Sequence, residues 1–332
     1  MKAFVVEKYG KDGLTAAEVP EPEVGEGDVL VKVSAASVNP LDKMVRDGEF
    51  KQLLKYRTPF VLGHDVAGGV TRVGSAVPDF NIGDEVYARP RDLRIGTFAE
   101  YIAIDQDDVA PKPASLTLHE AAAVPLVSLA AWQALVDRAH VKPGQKVLVH
   151  AGSGGLGSTV IQLAKHLGAT VATTASAKNA QLVRSLGADV VVDYRQQDFA
   201  DVLSGYDVVL DSLGGENLEK SLTVLKPGGQ AIGVAGPPDP GFAKQLGAPT
   251  PIGVAMGLLS RKVRKQARKL GVSYSFLFMQ ANGGQLRELA SLYDAGHLRP
   301  LIDKTFPFDQ TLEALTYVEQ GRANGKVVIT LD

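Results

Sequence analysis

Val147-Leu-Val-His-Ala-Gly152-Ser153-Gly154-Gly155-Leu156-Gly157 is the stretch on which the fold turns. It opens as a short apolar run of the kind that forms a buried strand. The glycines then follow as Gly152-x-Gly154-x-x-Gly157, ahead of a helical segment from Ser158 to Leu167. Alone, such a triplet is a weak signal, because glycine-rich turns are common. Between a strand and a helix it is a strong one. The glycines permit the tight turn and let the backbone approach a pyrophosphate, whose charge sits against the helix N-terminus. We therefore expect Gly152, Ser153, Gly154, Gly155, Leu156 and Gly157 to hold a dinucleotide.

Towards the C-terminus the strand–helix pattern repeats. Thr170 to Thr174, Asp189 to Asp193, Tyr206 to Leu210 and Gln230 to Val234 read as strands. Lys178 to Leu186 and Asn217 to Leu225 read as helices, with Gly168 and Gly187 at helix ends. This alternation predicts an α/β domain with a doubly wound parallel sheet. Pro237 to Pro251 reads as a loop, and Ile252 to Leu270 as one basic helix carrying Arg261, Lys262, Arg264, Lys265, Arg268 and Lys269. That helix reads as a solvated face, with a lid or a surface for an acidic partner as the functional alternative. Val272 to Met279 reads as the last strand of the sheet, and Leu286 to Ala295 as a helix.

Towards the N-terminus the pattern differs. Asp28 to Ser34, His64 to Val73, Gly83 to Ala88 and Thr97 to Ile104 read as short strands separated by proline and glycine, which suggests an antiparallel barrel or sandwich. From Thr117, whose spacing to Glu120 matches a capping box, an alanine-rich helical run is expected towards Arg138. Leu301 to Leu331 is expected to return to the first domain, since a lone tail of that size would lack a core. The domains are thus residues 1–124 with 282–332, and residues 125–281.

With 332 residues, 45% of them hydrophobic and 22% charged, the chain can bury two cores. Its net charge of -2 gives no electrostatic reason to propose nucleic acid or an anionic membrane as partner. It has no cysteine, which removes disulfides, thiolate nucleophiles and cysteine-ligated metals together. The longest apolar stretch, Ala121 to Trp132, is too short to span a bilayer and contains Pro125. No signal peptide is visible, and a cytoplasmic protein is expected.

The end of the second strand selects the cofactor. NAD sites place a carboxylate there for the ribose hydroxyls. Here the chain reads Thr173-Thr-Ala-Ser176-Ala-Lys178-Asn179, with no acid. A 2′-phosphate would meet the Ser176 hydroxyl and the Lys178 ammonium in charge-assisted contacts. Tyr194 and Arg195, after the next strand, would close over the adenine side. NADPH is the expected cofactor. A surface position for Lys178 and ordinary packing for Tyr194 are the structural alternatives.

These residues resemble the zinc-independent quinone oxidoreductases of the medium-chain dehydrogenase/reductase superfamily, and most of all its alkenal and enone reductases. The resemblance spans nearly the whole chain. It rests on Ser37-Val-Asn-Pro-Leu-Asp42, Pro59-Phe-Val-Leu-Gly-His-Asp-Val-Ala-Gly68, Val73-Gly74 with Val86-Tyr87, Pro125-Leu-Val-Ser-Leu-Ala-Ala-Trp132, the glycine loop, and Gly325-Lys-Val-Val-Ile329. It implies a GroES-like β-barrel catalytic domain with an inserted Rossmann domain, and a homodimer paired through the last Rossmann strand. It implies Asn39 beside the nicotinamide, with Ser128 and Lys326 also on the cofactor side. Gly155 and Leu156 would lie at the pyrophosphate, and Ser176, Lys178, Asn179 and Tyr194 at the 2′-phosphate. Val234 and the Phe276-Leu-Phe278 strand would flank the ring. Ser128 stands where many relatives have threonine, and Lys43-Met44 where some quinone reductases have a tyrosine.

Gly63-His64-Asp65 resembles the segment that supplies a zinc ligand in related alcohol dehydrogenases. Catalytic zinc needs three protein ligands, cysteine among them in those enzymes, and none exists here. We therefore expect no metal, with His64 as a hydrogen-bonded structural residue. Without a Lewis acid, an acceptor that spreads charge by conjugation is favoured: a quinone or an α,β-unsaturated carbonyl. Direct hydride transfer from NADPH and proton uptake would follow, with the protein supplying orientation and a dry cleft. Asn39 is a candidate catalytic residue; Tyr56, Lys43 and water are candidate proton donors. Enoyl-thioester reduction, with the basic helix as a carrier-phosphate patch, and a non-catalytic NADPH-binding role are the alternatives.

Overall fold

In the computed structural model, which describes residues 1–331, the glycine stretch leaves the centre of a six-stranded sheet. The strand order is Val190–Asp193, Thr170–Ala175, Lys146–Val149, Tyr206–Asp211, Leu225–Gly233, Ser273–Phe276, and every neighbouring pair is parallel. Parallel sheets need cover on both faces, and this one has it: Val147, Leu148 and Val149 are wholly buried. Burial of side chains that size contributes about 1.5–3 kcal/mol each. The order reverses direction beside Lys146–Val149, the first strand in sequence. The carboxyl ends of the strands on either side of such a reversal are where doubly wound sheets bind ligands. This sheet belongs to one compact unit, Ala130–Met279.

The other unit combines Met1–Leu129 with the chain from Gln280 onward. It holds a seven-stranded sheet and a three-stranded one (Leu14–Glu18, Lys2–Val6, Phe60–Val61). The larger sheet centres on the long strand Asp28–Val38, which pairs antiparallel with Asp65–Val73, Tyr101–Asp105 and Lys326–Thr330. The last pairing joins the C-terminal strand Lys326–Thr330 to Asp28–Val38 within this unit. It also brings Val327 opposite Val38, beside the Asn39 segment. Branched residues at alternate positions of Asp28–Val38 (Val29, Val31, Val33) join a buried cluster with Val66, Val86 and Ile104.

Several expected elements differ in extent. The helical run towards Arg138 is broken into Leu118–Ala122, Pro125–Trp132 and a π-type turn, Gln133–Arg138. Pro125 has no N–H to continue the first of these. The single basic helix is two, Thr250–Leu259 and Arg261–Lys269. They part at Ser260, whose N–H and hydroxyl share the Met256 carbonyl at 3.0 and 2.8 Å. The loop at 237–251 contains the helix Pro240–Gln245, capped by the Asp239 side chain accepting the Phe242 N–H at 3.0 Å. The last strand stops at Phe276 rather than Met279, and the helix expected to Leu225 stops at Ser221. Among the described residues, no helix is long and apolar enough to cross a membrane.

Candidate active site

The glycine loop is shaped by close backbone approach. A Cβ on Gly152 would stand 2.1 Å from Thr173 Oγ1, and one on Gly157 would stand 2.3 Å from the Ala151 carbonyl oxygen. Both positions therefore require glycine on packing grounds alone. Ala151 itself has φ 53°, a left-handed turn residue that sends the chain into the helix Gly155–His166. The first N–H groups of that helix have no intrahelical acceptor and point out of its N-terminus. The residues present fit a dinucleotide pyrophosphate here.

The sheet register assembles the rest of this half-site. Val149 pairs with Thr173, and Ala175 with Asp193, so residues 152–157, 176–179 and 194–195 leave adjacent strands at one edge. Ser176 is buried at the strand end, while Lys178 is exposed. The Asn179 side-chain N–H donates to Ser153 Oγ at 3.0 Å and ties this corner to the glycine loop. Tyr194 is 58% exposed, and the Arg195 guanidinium lies 5.8 Å from its ring centroid. No carboxylate occupies the end of Thr170–Ala175; Asp193 ends the neighbouring strand, and its Oδ1 accepts the Arg195 N–H.

Val234 follows the strand Leu225–Gly233, and its N–H donates to the Asp211 carbonyl. Phe276 and Phe278 are buried, each with its ring centroid 5.1 Å from that of Phe242. Their backbone carbonyls accept from Arg138 Nη1 and Gln245 Nε2.

Sequence reasoning gave His150 no role. The structure gives it a supporting role. Its ring is buried, its nitrogens lie 3.2 Å from Thr174 Oγ1 and 2.8 Å from Ser221 Oγ, and Phe199 packs edge-on at 4.6 Å. Thr174 Oγ1 in turn accepts the Ala151 N–H at 3.1 Å, so the histidine braces the start of the glycine loop. Burial lowers its pKa to about 4. Asp211 beside it is buried and its pKa is raised by the same desolvation. Its Oδ1 accepts the Gly214 N–H at 2.6 Å. The signal was the position of His150, two residues before Gly152 at the end of the central strand.

In the other unit, Asn39 joins a buried polar cluster. Its side-chain N–H donates to Asp65 Oδ2 at 2.9 Å, and its Oδ1 accepts from Lys326 Nζ at 2.5 Å. Asp65 also accepts from Ser37 Oγ at 2.8 Å, Lys326 Nζ at 3.1 Å and the Leu126 N–H at 2.8 Å. Two of the expected residues, Asn39 and Lys326, thus come together, though 287 positions apart. Asp65, Ser37 and Asp42 complete the group; Asp42 accepts the Asn39 N–H at 2.6 Å. Sequence reasoning gave Asp65 no role, although it follows His64 in the segment compared with the zinc enzymes. Arg89, wholly buried and paired through Nη2 with Asp92 at 2.7 Å, was likewise unmarked.

Ser128 and Tyr56 stand apart from this group. The Ser128 hydroxyl is buried against the Tyr293 hydroxyl at 2.8 Å. Tyr56 stacks on Phe60 at 5.0 Å, and its hydroxyl oxygen accepts the Leu93 N–H at 3.1 Å. Burial, with the negative charge of Asp92, drives the Tyr56 phenol well above its usual range. The residues around His64 do not fit a catalytic zinc. His64 Nδ1 lies 2.5 Å from Asp42 Oδ1, and Ser37 and Asn39 offer no thiolate or imidazole beside it. Among the described residues no group of three histidine or acidic side chains is placed to hold a metal ion.

A parallel sheet with a glycine-braced phosphate corner in one unit, and antiparallel sheets around a buried polar cluster in the other, define a two-unit nicotinamide-dependent oxidoreductase. Residues 25–114 match the family model described as an alcohol dehydrogenase GroES-like domain, and residues 186–329 the one described as a zinc-binding dehydrogenase. The chain belongs to the medium-chain dehydrogenase/reductase superfamily, in its zinc-independent branch of quinone oxidoreductases and alkenal/enone reductases. It is 37% identical to the chloroplastic NADPH-dependent alkenal/one oxidoreductase of Arabidopsis thaliana, across 99% of this chain and 79% of the relative. To the 2-methylene-furan-3-one reductase of Solanum lycopersicum it is 38% identical over the same shares. The solved quinone oxidoreductase of Coxiella burnetii superimposes with a TM-score of 0.87 at 32% identity, covering 100% of this chain and 99% of that one.

Proposed function

We propose that this protein is an NADPH-dependent reductase that delivers hydride to a quinone or an α,β-unsaturated carbonyl without zinc. The unit Ala130–Met279 holds the cofactor, and the unit that joins Met1–Leu129 to the chain from Gln280 receives the acceptor. The observation that carries this reading is the carboxylate-free corner where Ser176 and Lys178 stand beside the glycine loop. The names of the alkenal/one and furanone reductases support the acceptor class.

The cofactor, when bound, supplies the hydride. The rest is done by the chain. The N-terminal N–H groups of Gly155–His166 would hold the pyrophosphate, and Ser176 Oγ with Lys178 Nζ would hold the 2′-phosphate. Asn179 orients Ser153 on the loop, and Tyr194 covers the adenine side. Val234, Phe276 and Phe278 would border the nicotinamide ring, the two phenylalanines packed against Phe242. In the other unit Asp65 and Lys326 lock the Asn39 amide, so it cannot rotate to another partner; Ser128 is held likewise by Tyr293. Tyr56 keeps its proton throughout the neutral range and releases it only to a strong base, such as the enolate left by hydride addition.

The test is NADPH oxidation followed optically with 1,4-benzoquinone, a short alkenal and crotonyl-CoA. Turnover of quinone or alkenal is expected. Preference for the thioester, or binding without turnover of any acceptor, would replace this reading with one of the two alternatives. A homodimer and a cytoplasmic location belong to the same proposal. The outer edge of Ser273–Phe276, the last strand of the sheet order, is the pairing surface, checked by sedimentation; cell fractionation checks the location.

A further inference from the structure

Between Asp239 and Glu288 the chain contains no carboxylate, yet its helix Arg261–Lys269 carries Arg261, Lys262, Arg264, Lys265, Arg268 and Lys269. A chain with net charge -2 has therefore concentrated its cations on one element. Of these six only Lys262 has an ion pair among the described residues, with Glu219 at 2.5 Å. Val263 and Ala267, one turn apart, face inward; Arg261, Lys265, Arg268 and Lys269 face solvent.

The helix before it, Thr250–Leu259, completes the surface. Its inner face is made of small residues: a Cβ on Gly253 would meet Ala243 at 3.6 Å, and one on Gly257 would meet Pro240 at 3.4 Å. Met256 and Ser260 are buried on the same side. The opposite face presents Val254, Leu258 and Leu259, each about three-fifths exposed at 59%, 64% and 64%. Scattered exposed leucines are ordinary, but three on one helical face beside an unpaired cationic stripe are not.

We propose that these two helices form a peripheral docking surface for an anionic lipid bilayer. The chemistry divides between them: Val254, Leu258 and Leu259 enter the headgroup–acyl boundary while the arginines and lysines face lipid phosphates. An acidic protein would satisfy the cations but leave the leucines in water unless it carried a matching apolar face. A lipid surface meets both demands without a shaped partner. The proposal uses no cofactor contact and stands apart from the reductase reading.

The test is co-sedimentation of the full chain with vesicles of phosphatidylcholine alone, and of phosphatidylcholine mixed with phosphatidylglycerol. Binding to the mixed vesicles only is expected, and it should disappear when salt shortens the Debye length. Reversing Arg261, Lys265 and Lys269 to Glu should weaken it more than about tenfold, and Leu258→Gln with Leu259→Gln should do the same at unchanged melting temperature. Should the apolar variant fail to fold, the charge reversals on the neighbouring helix decide the matter alone. The proposal is overturned by equal recovery with neutral vesicles, by no recovery with either, or by binding that ignores both sets of substitutions. It is also overturned if the leucine variant converts a dimer to a monomer in light scattering, since a second copy would then cover this face. Equal retention on polyglutamate, with the leucine variant unaffected, would assign it to an acidic protein instead.

Discussion

Asn179 and Ser153, on different loops of the doubly wound sheet, are joined by a 3.0 Å hydrogen bond from amide to hydroxyl. Under the proposed function, the bond would link the segment at the 2′-phosphate to the loop at the pyrophosphate. Binding at either end is therefore presented with a preformed other end, which lowers the ordering cost of binding a long cofactor.

Replacing Lys178 by Ala should weaken NADPH binding by roughly tenfold to a hundredfold, the loss of one charge-assisted contact. NADH should bind nearly as before. Calorimetry with both dinucleotides reads the difference, and equal losses would remove Lys178 from the phosphate corner.

Gly152→Ala and Gly157→Ala each force a Cβ into contacts near 2 Å, at 2.1 Å and 2.3 Å, and should cost about 1–3 kcal/mol or more of stability. Gly69→Ala is the control, because nothing lies within 4 Å of its Cβ position. Thermal melting should separate the first two from the third.

The buried His150 makes stability pH-dependent. Its pKa falls from 6.5 to about 4 on folding, so the unfolded chain binds the proton first. Stability is full above pH 6.5 and is lost as pH falls through 6.5 towards 4, by about 3 kcal/mol from this group. Asp211, whose pKa is raised, acts in the opposite sense over the acid range. Urea midpoints measured against pH should show a shallower acid limb for His150→Gln; an identical slope would mean His150 does not carry it.

Lys326→Met leaves the fully buried Asp65 carboxylate without its cation. Breaking one partner of a buried pair costs about 3–5 kcal/mol. The double variant with Asp65→Asn should recover part of that loss, as a double-mutant cycle in urea would show.

Tyr56→Phe should lower kcat by about a hundredfold with little change in KM if this phenol delivers the proton. An unaltered kcat would transfer the role to Lys43 or water.

Much of the doubly wound half was legible because its determinants are local. The glycine spacing, the strand before it and the missing acid after Thr170–Ala175 sit in two short segments, and the register merely sets them side by side. The basic stretch shows the opposite. Its charge was plain in the sequence, but neither the break at Ser260 nor the outward turn of Leu258 is written in hydrophobic period alone. His150 and Asp65 were passed over for the same reason: a lone titratable residue acquires a role only from what folding packs against it.

The sequence by itself determined the alternation of strands and helices around the glycine loop and the absence of thiolate chemistry, since these follow from residue type and short-range spacing. Only the tertiary structure decided which polar groups meet. Asp65 collects donors from positions 37, 39, 126 and 326, and nothing in local pattern foretells such company. Burial strips these groups of water, so each must find its partner across the fold, and that search is settled by long-range packing.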